Sequence, residues 1–195
     1  MIATHSRKPP DRMPTVEIVP LSSDRDFPEV LLIADASFSN PWTRGVFVRS
    51  LERPNGTRAL VARSGSCTVG YCVGQVILDE LHIHTVAVSP AFRERGIGRR
   101  LLATRMRRSR GQGVTSSILE VRNSNLVAQG LYKKLGFSLL GRRSAYYRVP
   151  VEGAVIYSRA SRQGSWRALR QARLRPQSSC NALFRMLTFP GSTTD

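Results

Sequence analysis

The sequence predicts an α/β domain over residues 15–158, built on one sheet of mixed direction with about seven strands. Three observations predict it. Short runs place apolar residues at every second position, as half-buried strands require. From Gly96 the period changes to that of a helix, with Ile97, Leu101, Leu102 and Met106 on one stripe. The order of pieces is strand, two helices, three strands, helix, strand, helix, two strands, with no internal repeat.

Each element has its own signal. "TVEIVPL" (15–21) alternates as a first strand. Ser22, Ser23 and Asp24 are start signals for a helix over "RDFPEVLLIADASF", with Pro28 near its beginning. "NPWTRGVFVRSL" (40–51) is expected to be a second helix opening at Pro41. "TRALVARS" and "CTVGYCVGQVIL" read as strands joined by a hairpin at Ser64-Gly65-Ser66, and "LHIHTVAVS" as another ending at Pro90. In the helix that follows, Arg99, Arg100, Arg105, Arg107, Arg108 and Arg110 are expected on the outer face. "SSILEVRN" (116–123) returns to strand. "SNLVAQGLYKKLGF" is a helix with Ser124 as N-cap, Leu131 and Leu135 on its packing face and Gly136 closing it. The last two strands are expected around Phe137–Arg142 and over "GAVIYSR" (153–159).

Composition bounds the function. The 195 residues suit one domain with tails, and 41% hydrophobic content supplies a core. No apolar run reaches the ~18 residues that a membrane span needs, and "MIATHSRKPPDRMP" has no apolar stretch of a secretory signal. Cys67, Cys72 and Cys180 lack zinc spacing and read as reduced thiols, so a cytoplasmic protein without membrane partners is expected. The net charge is +17, of which residues 1–14 carry +2 and residues 159–195 carry +6. That balance favours an anionic partner, a nucleotide-bearing cofactor or RNA reached through the basic tails; solubility would explain the tails equally well. Residues 1–14 read as a basic extension without fixed structure, and Met13 stands as an alternative start. The Arg/Ser-rich 159–195 segment is expected to be mostly disordered, with one short basic helix around Trp166, Leu169, Arg170 and Arg173.

The stretch "SPAFRERGIGRRLL" (89–102) carries the first chemical signal. A strand ends at Pro90, then Arg93, Gly96 and Gly98 precede a helix. Unpaired amides at a helix start, the positive end of its dipole and neighbouring arginines together form a phosphate cradle. The third glycine of a dinucleotide fingerprint and the Lys-Ser/Thr of a P-loop are absent. A lone Gly-x-Gly would also suit a tight turn.

With "LEVRNSN" (119–125) and "GLYKKLGF" (130–137) following "VAVSPAFRERGIGRRLL" (86–102) in order, the chain resembles the GNAT family of N-acetyltransferases. "NPWT" (40–43), "GQVILDE" (74–80) and "RRSAYY" (142–147) make it similar to the RimI-type ribosomal-protein alanine N-acetyltransferases within that family. The resemblance covers about 15–158. Asn40, Arg148-Val149 after the paired tyrosines, and His82 and His84 depart from the pattern. It implies a mostly antiparallel sheet with helices on both faces, splayed at its central strands, and acetyl-CoA as cosubstrate. Backbone groups of Val86, Ala87 and Val88 would hold the acetyl-pantetheine arm. Amides of the Arg93–Gly98 loop and of Arg99, with Glu94, Arg95, Gly96 and Ile97 among them, would take the pyrophosphate, and Asn125 would touch the arm.

The resemblance also implies roles in transfer. Glu120, the one acidic residue between 95 and 151, would accept the proton of the acceptor amine. A salt bridge with Arg122 or Arg142 is the alternative. Tyr132 would protonate the leaving thiolate; the alternative is a core aromatic, against which stands its offset from the Leu131/Leu135 face. Tyr146 and Tyr147 would line a peptide entrance or pack at an edge, and Trp42 would wall the same groove or staple the second helix to the sheet. His82 and His84 share a strand face, but no third ligand stands at zinc spacing, so no metal is expected. The implied activity is direct acetylation of a protein N-terminal amine by a monomer, the family acceptor being the N-terminal alanine of a small-subunit ribosomal protein. A small amine or lysine acceptor, and an RNA- or ribosome-binding protein with a degenerate enzyme domain, are the rival readings. The assembled Gly96, Gly98, Glu120, Asn125 and Tyr132 speak against degeneracy.

Overall fold

The computed structural model describes residues 15–52 and 57–161. The extension over 1–14 and the segment from 162 onward, with the short helix expected around Trp166, lie outside the described residues. The elements are β1 (Val16–Pro20), α1 (Ser23–Asp35), α2 (Arg44–Leu51), β2 (Thr57–Ser64), β3 (Cys67–Ile77) and β4 (Glu80–Val88). After a 3-10 turn over Pro90–Phe92 come α3 (Ile97–Arg110), β5 (Ser116–Arg122), α4 (Leu126–Lys134), β6 (Ser138–Arg148) and β7 (Val151–Ala160). The seven strands form one sheet in the order β1-β2-β3-β4-β5-β7-β6. Every pairing is antiparallel except β4 with β5. The mixed sheet expected from the element order is therefore the one observed.

Each face of the sheet is covered. On one side Phe27, Val30, Trp42, Val46 and Phe47 of the α1–α2 segment pack on Val61, Tyr71, Val73 and Ala87. On the other, Ile97, Leu101, Leu102 and Met106 of α3 and Tyr132 of α4 pack on Leu60, Cys72, Leu81 and Ile83. Strands buried on both faces lose their polar alternation, which is why β3 reads as an almost unbroken apolar run. The turn at Gly65, with φ +60, joins β2 to β3 as expected.

Four local expectations are corrected. Helix α2 starts after Thr43, whose hydroxyl caps it by accepting from the Val46 amide, and not at Pro41. In α4 the N-cap is Asn125 and not Ser124, because the Asn125 side chain accepts from the Ala128 amide at 3.0 Å. Strand β6 runs to Arg148, well past Arg142, because β7 pairs with it almost to the turn. Arg105 is not on the outer face of α3. It lies buried among the apolar stripe, donating to the Ser109 hydroxyl at 2.8 Å and to the Gly74 carbonyl at 2.9 Å. Gly74 leaves it room, since a Cβ there would come within 3.3 Å of Arg105 Nε.

Asp26 organises the other layer. Fully buried, it accepts from the Ser22 amide at 2.7 Å, from the Thr68 hydroxyl at 2.9 Å and from the Arg63 guanidinium at 2.8 Å. Burial alone would push its pKa up. The bonds from Arg63, Ser22 and Thr68 outweigh it and hold the carboxyl below its ordinary value.

Candidate active site

The site begins where the sheet opens. β4 and β5 pair only from Glu80–Ile83 against Ser116–Leu119, although β4 continues to Val88 and β5 to Arg122. Beyond that point Thr85–Val88 stay bonded to β3, and Glu120–Arg122 stay bonded to β7. A bulge at His84 turns β4 away, since Val73 pairs with Thr85 while Gly74 pairs with Ile83. The extra residue shifts the side-chain parity, so Leu81 and Ile83 before it and Val86 and Val88 after it all pack on the α3–α4 side. Backbone groups of β4 that point away from β3 thus face a gap. An extended ligand arm that carries amide groups can hydrogen-bond there.

Next to the gap lies the loop before α3. Glu94 and Gly96 have φ of +62 and +73, which turn the chain so that α3 starts at its end. No side chain caps α3 and its first turn holds no acid. Its leading amides therefore suit an anion, with Arg95 and Arg99 close in sequence. Arg93 does more than supply charge. It donates to the Val88 carbonyl at 3.1 Å and to the Ser37 hydroxyl at 3.2 Å, tying the loop to β4 and to the end of α1. Gly98 is less constrained than Gly96, because a Cβ there would meet Leu131 at an ordinary 3.5 Å.

Glu120 stands on β5 just past the last β4 pairing. Its carboxylate is 3.2 Å from the Arg143 guanidinium, so an ion pair does form, but with the β6 residue that β7 brings alongside and not with the Arg122 or Arg142 of the alternative reading. Tyr146 is hydrogen-bonded to the same carboxylate. Burial first, and then the Glu120 charge, push the Tyr146 phenol far above its ordinary value. Tyr147 is raised to about 12, by burial and then by Glu120, with Arg122 opposing. The two rings meet edge to face, with centroids 5.1 Å apart. Of the two tyrosines, Tyr146 touches the carboxylate and Tyr147 packs edge-on against Tyr146.

Tyr132 is the buried residue of α4, whereas Leu131 and Leu135 are half-buried beside it. The offset read from the sequence is thus reversed, because the inner face of this short helix is centred on Tyr132. Its ring packs against Phe137 and Tyr157 with centroids 6.1 and 6.2 Å away. Burial raises its phenol well above the ordinary value, so it is protonated at neutral pH. Asn125 spends its side-chain oxygen on the α4 cap, which leaves its amide group as a donor.

Trp42 is buried, edge-on to Phe47 at 5.3 Å and 6.0 Å from the His84 ring, and so staples α2 to β4. His82 pairs with Glu80 at 2.8 Å. Among the described residues no three His, Cys, Asp or Glu side chains are grouped to hold a metal.

Sequence reasoning missed Arg122 as an organiser of this side. It donates to the Val149 carbonyl at 2.8 Å and to the Ser39 hydroxyl at 2.9 Å, and it lies 4.1 Å over the Tyr147 ring. It thereby joins the α1–α2 connection to the β6–β7 turn. The only signal was its place two residues from Glu120, on the same face of β5.

Comparisons with known proteins place the fold and the sequence in one family. The sequence model of the acetyltransferase (GNAT) family matches residues 27–137. An N-alpha-acetyltransferase RimI of Mycobacterium tuberculosis is 42% identical over 123 residues, which span 61% of this chain and 74% of that protein. A ribosomal protein bS18-alanine N-acetyltransferase of Haemophilus ducreyi is 30% identical over 138 residues, 68% of this chain and 92% of its own. Among solved structures, the ribosomal-protein-S18-alanine N-acetyltransferase of Escherichia coli superposes with a TM-score of 0.70 at 27% identity, covering 78% of this chain and 97% of that one. With a matching fold, a matching sequence model and such relatives, this chain belongs to the acetyltransferase (GNAT) family, whose acetyl donor is acetyl-CoA, and it is an N-acetyltransferase.

Proposed function

We propose that the chain acetylates a protein N-terminal amine, and that its acceptor is the N-terminal alanine of a small-subunit ribosomal protein corresponding to the bS18 of its relatives. One observation carries the reading: a half-buried carboxylate, Glu120, hydrogen-bonded to Tyr146, beside the opening between β4 and β5. The activities of the relatives supply the acceptor class.

Acetyl-CoA supplies an activated thioester. The outward backbone of Val86, Ala87 and Val88 holds the arm, and one of these amides faces the developing oxyanion. Amides of Glu94–Arg99 take the pyrophosphate, and the Asn125 amide group donates to the arm. An α-amino group has a pKa of ~7.7–8.0, so near neutral pH it must lose one proton before it attacks. Glu120 accepts that proton at its carboxylate, directly or through one water, while Arg143 and Tyr146 fix its orientation. Tyr132 delivers its phenolic proton to the departing sulfur. Tyr147, Tyr146 and the Arg122 bridge between Ser39 and Val149 border the acceptor side, and Trp42 supports it from beneath.

The test is mass spectrometry of protein N-termini with the gene deleted and restored. The expected result is one small-subunit ribosomal protein whose N-terminal alanine loses and regains its acetyl group. Unchanged ribosomal N-termini, with a small amine or lysine acetylated instead, would overturn the acceptor and leave the family intact.

A further inference from the structure

The outer face of α3 carries more positive charge than a pyrophosphate cradle at its first turn uses. Arg99, Arg100, Arg107 and Arg110 line one open cleft together with Lys134 of α4 and Arg159 of β7, and among the described residues no acidic side chain lines it. Cations in the last turn of a helix suit its dipole, which accounts for Arg107 and Arg110 taken alone. It does not account for Lys134 and Arg159 opposite, nor for Arg100, whose guanidinium donates to the Val16 carbonyl at 2.6 Å, while Arg99 borders the pyrophosphate cradle. Arg107 and Arg110 stand three positions apart on the helix, and like charges so spaced are mutually destabilising unless an anion lies between them.

We propose that this cleft binds the phosphate backbone of RNA. Protein surfaces ordinarily intersperse both signs of charge, whereas a nucleic-acid backbone is a dense row of one sign. A face with six cations and no acid complements the row. Five of the six are arginines, whose planar fork meets phosphate oxygens in pairs. From Arg99 to Arg110 the helix advances about 16 Å, enough for several successive phosphates. By charge, residues 162–195 are a poor occupant, with six arginines and one aspartate, and a second copy would present the same positive face. A bilayer surface is a poorer match, because amphipathic membrane elements need a broad apolar face beside their cations. The proposal does not depend on which amine is acetylated.

The experiment measures binding of the full chain to a fluorescent single-stranded RNA of about twenty nucleotides between 50 and 200 mM salt. R107Q/R110Q is compared with wild type and with the charge-preserving R107K/R110K. Expected are an affinity at least tenfold lower and a log–log salt slope shallower by about 1.4, at ~0.7 per lost phosphate contact. The lysine pair should keep the slope, and peptide turnover and the KM for acetyl-CoA should not change. Should the double variant fail to melt cooperatively, R107Q alone gives the same readout with a slope change of about 0.7. Unchanged RNA affinity and slope would overturn the proposal. So would a parallel rise in the KM for acetyl-CoA, which would make the cleft part of the cofactor site. Equal losses toward phosphatidylserine vesicles or a polyglutamate peptide would also overturn it.

Discussion

At Glu120 the contacting side chains are a guanidinium and a phenol, Arg143 and Tyr146. Glu120→Gln keeps the shape and the Tyr146 contact but cannot take a proton. Turnover with a peptide acceptor should fall by ~10²–10⁴-fold while acetyl-CoA affinity stays near wild type. Raising the pH above about 8 should recover part of the rate, because the acceptor amine then deprotonates unaided; a flat pH response would remove Glu120 as the base. Tyr132→Phe should lower kcat by a comparable factor with an unchanged melting temperature, since only the hydroxyl is lost. Asp26 makes a different prediction. Its folded pKa is depressed, so it stabilises the fold above the ordinary aspartate value of about 3.9, and this contribution is lost as pH falls through the lower folded value. Asp26→Asn should cost about 2 kcal/mol at pH 7, less than the ~3–5 of a fully buried pair because Arg63 reaches water. The gap in melting temperature should close as the pH is lowered below about 4. Some of these residues were legible and some were not. Glu120 stood out as the lone acid of a long stretch, but its partner Arg143 lies 23 positions away, on a strand whose register shifts between Arg143 and Tyr147. Alternation cannot count through such an irregularity.

Helix α3 and the loop before it were the most legible element, because every signal there is local: the proline, the glycines and the apolar stripe lie within twenty residues. The two glycines are nonetheless unequal. Gly96 sits at φ +73, so Gly96→Val forces a β-branched residue into the left-handed region, at about 1–3 kcal/mol, or re-aims the leading amides. Calorimetry should show weaker acetyl-CoA binding with peptide affinity less affected; unchanged cofactor affinity in a folded variant would sink the assignment. Gly98→Ala, meeting only ordinary contacts, should leave the unfolding free energy within about 0.5 kcal/mol of wild type. The elements misread from the sequence are those whose ends depend on distant neighbours. Asn125 and Ser124 are equally good caps by type, and only the chain path out of β5 chooses Asn125. Arg105 looked like one more outer arginine. Burying it requires Gly74 to leave space on β3, 31 positions earlier, which no helical periodicity records.

On the scale of the whole molecule, two apolar layers on one sheet were expected and found. The sequence placed the arginines of α3 on its outer face, and the fold gathers four of them with Lys134 and Arg159 into one cleft, Arg105 being the one turned inward. Strand β7 completes its pairing at Ala160, and the Ser161 amide donates to the Thr115 carbonyl at 2.7 Å. A chain covering residues 13–161 should therefore melt cooperatively and acetylate a short peptide at the full-length rate. Loss of solubility or of cofactor binding would show that the removed residues pack on the domain. The parting of β4 and β5 has a consequence for how such a sheet survives at high concentration. Its outer margins are poor templates for other chains: β1 spans five residues and ends in Pro20, and β6 breaks register twice. The stickiest backbone lies instead in the middle, in a cleft of the sheet walled by strands that already have partners. A foreign strand needs width for side chains on both of its faces and cannot slide in there. A thin, unbranched, amide-bearing arm can, and the fold thereby turns what would be an aggregation hazard at a margin into a filter on molecular thickness.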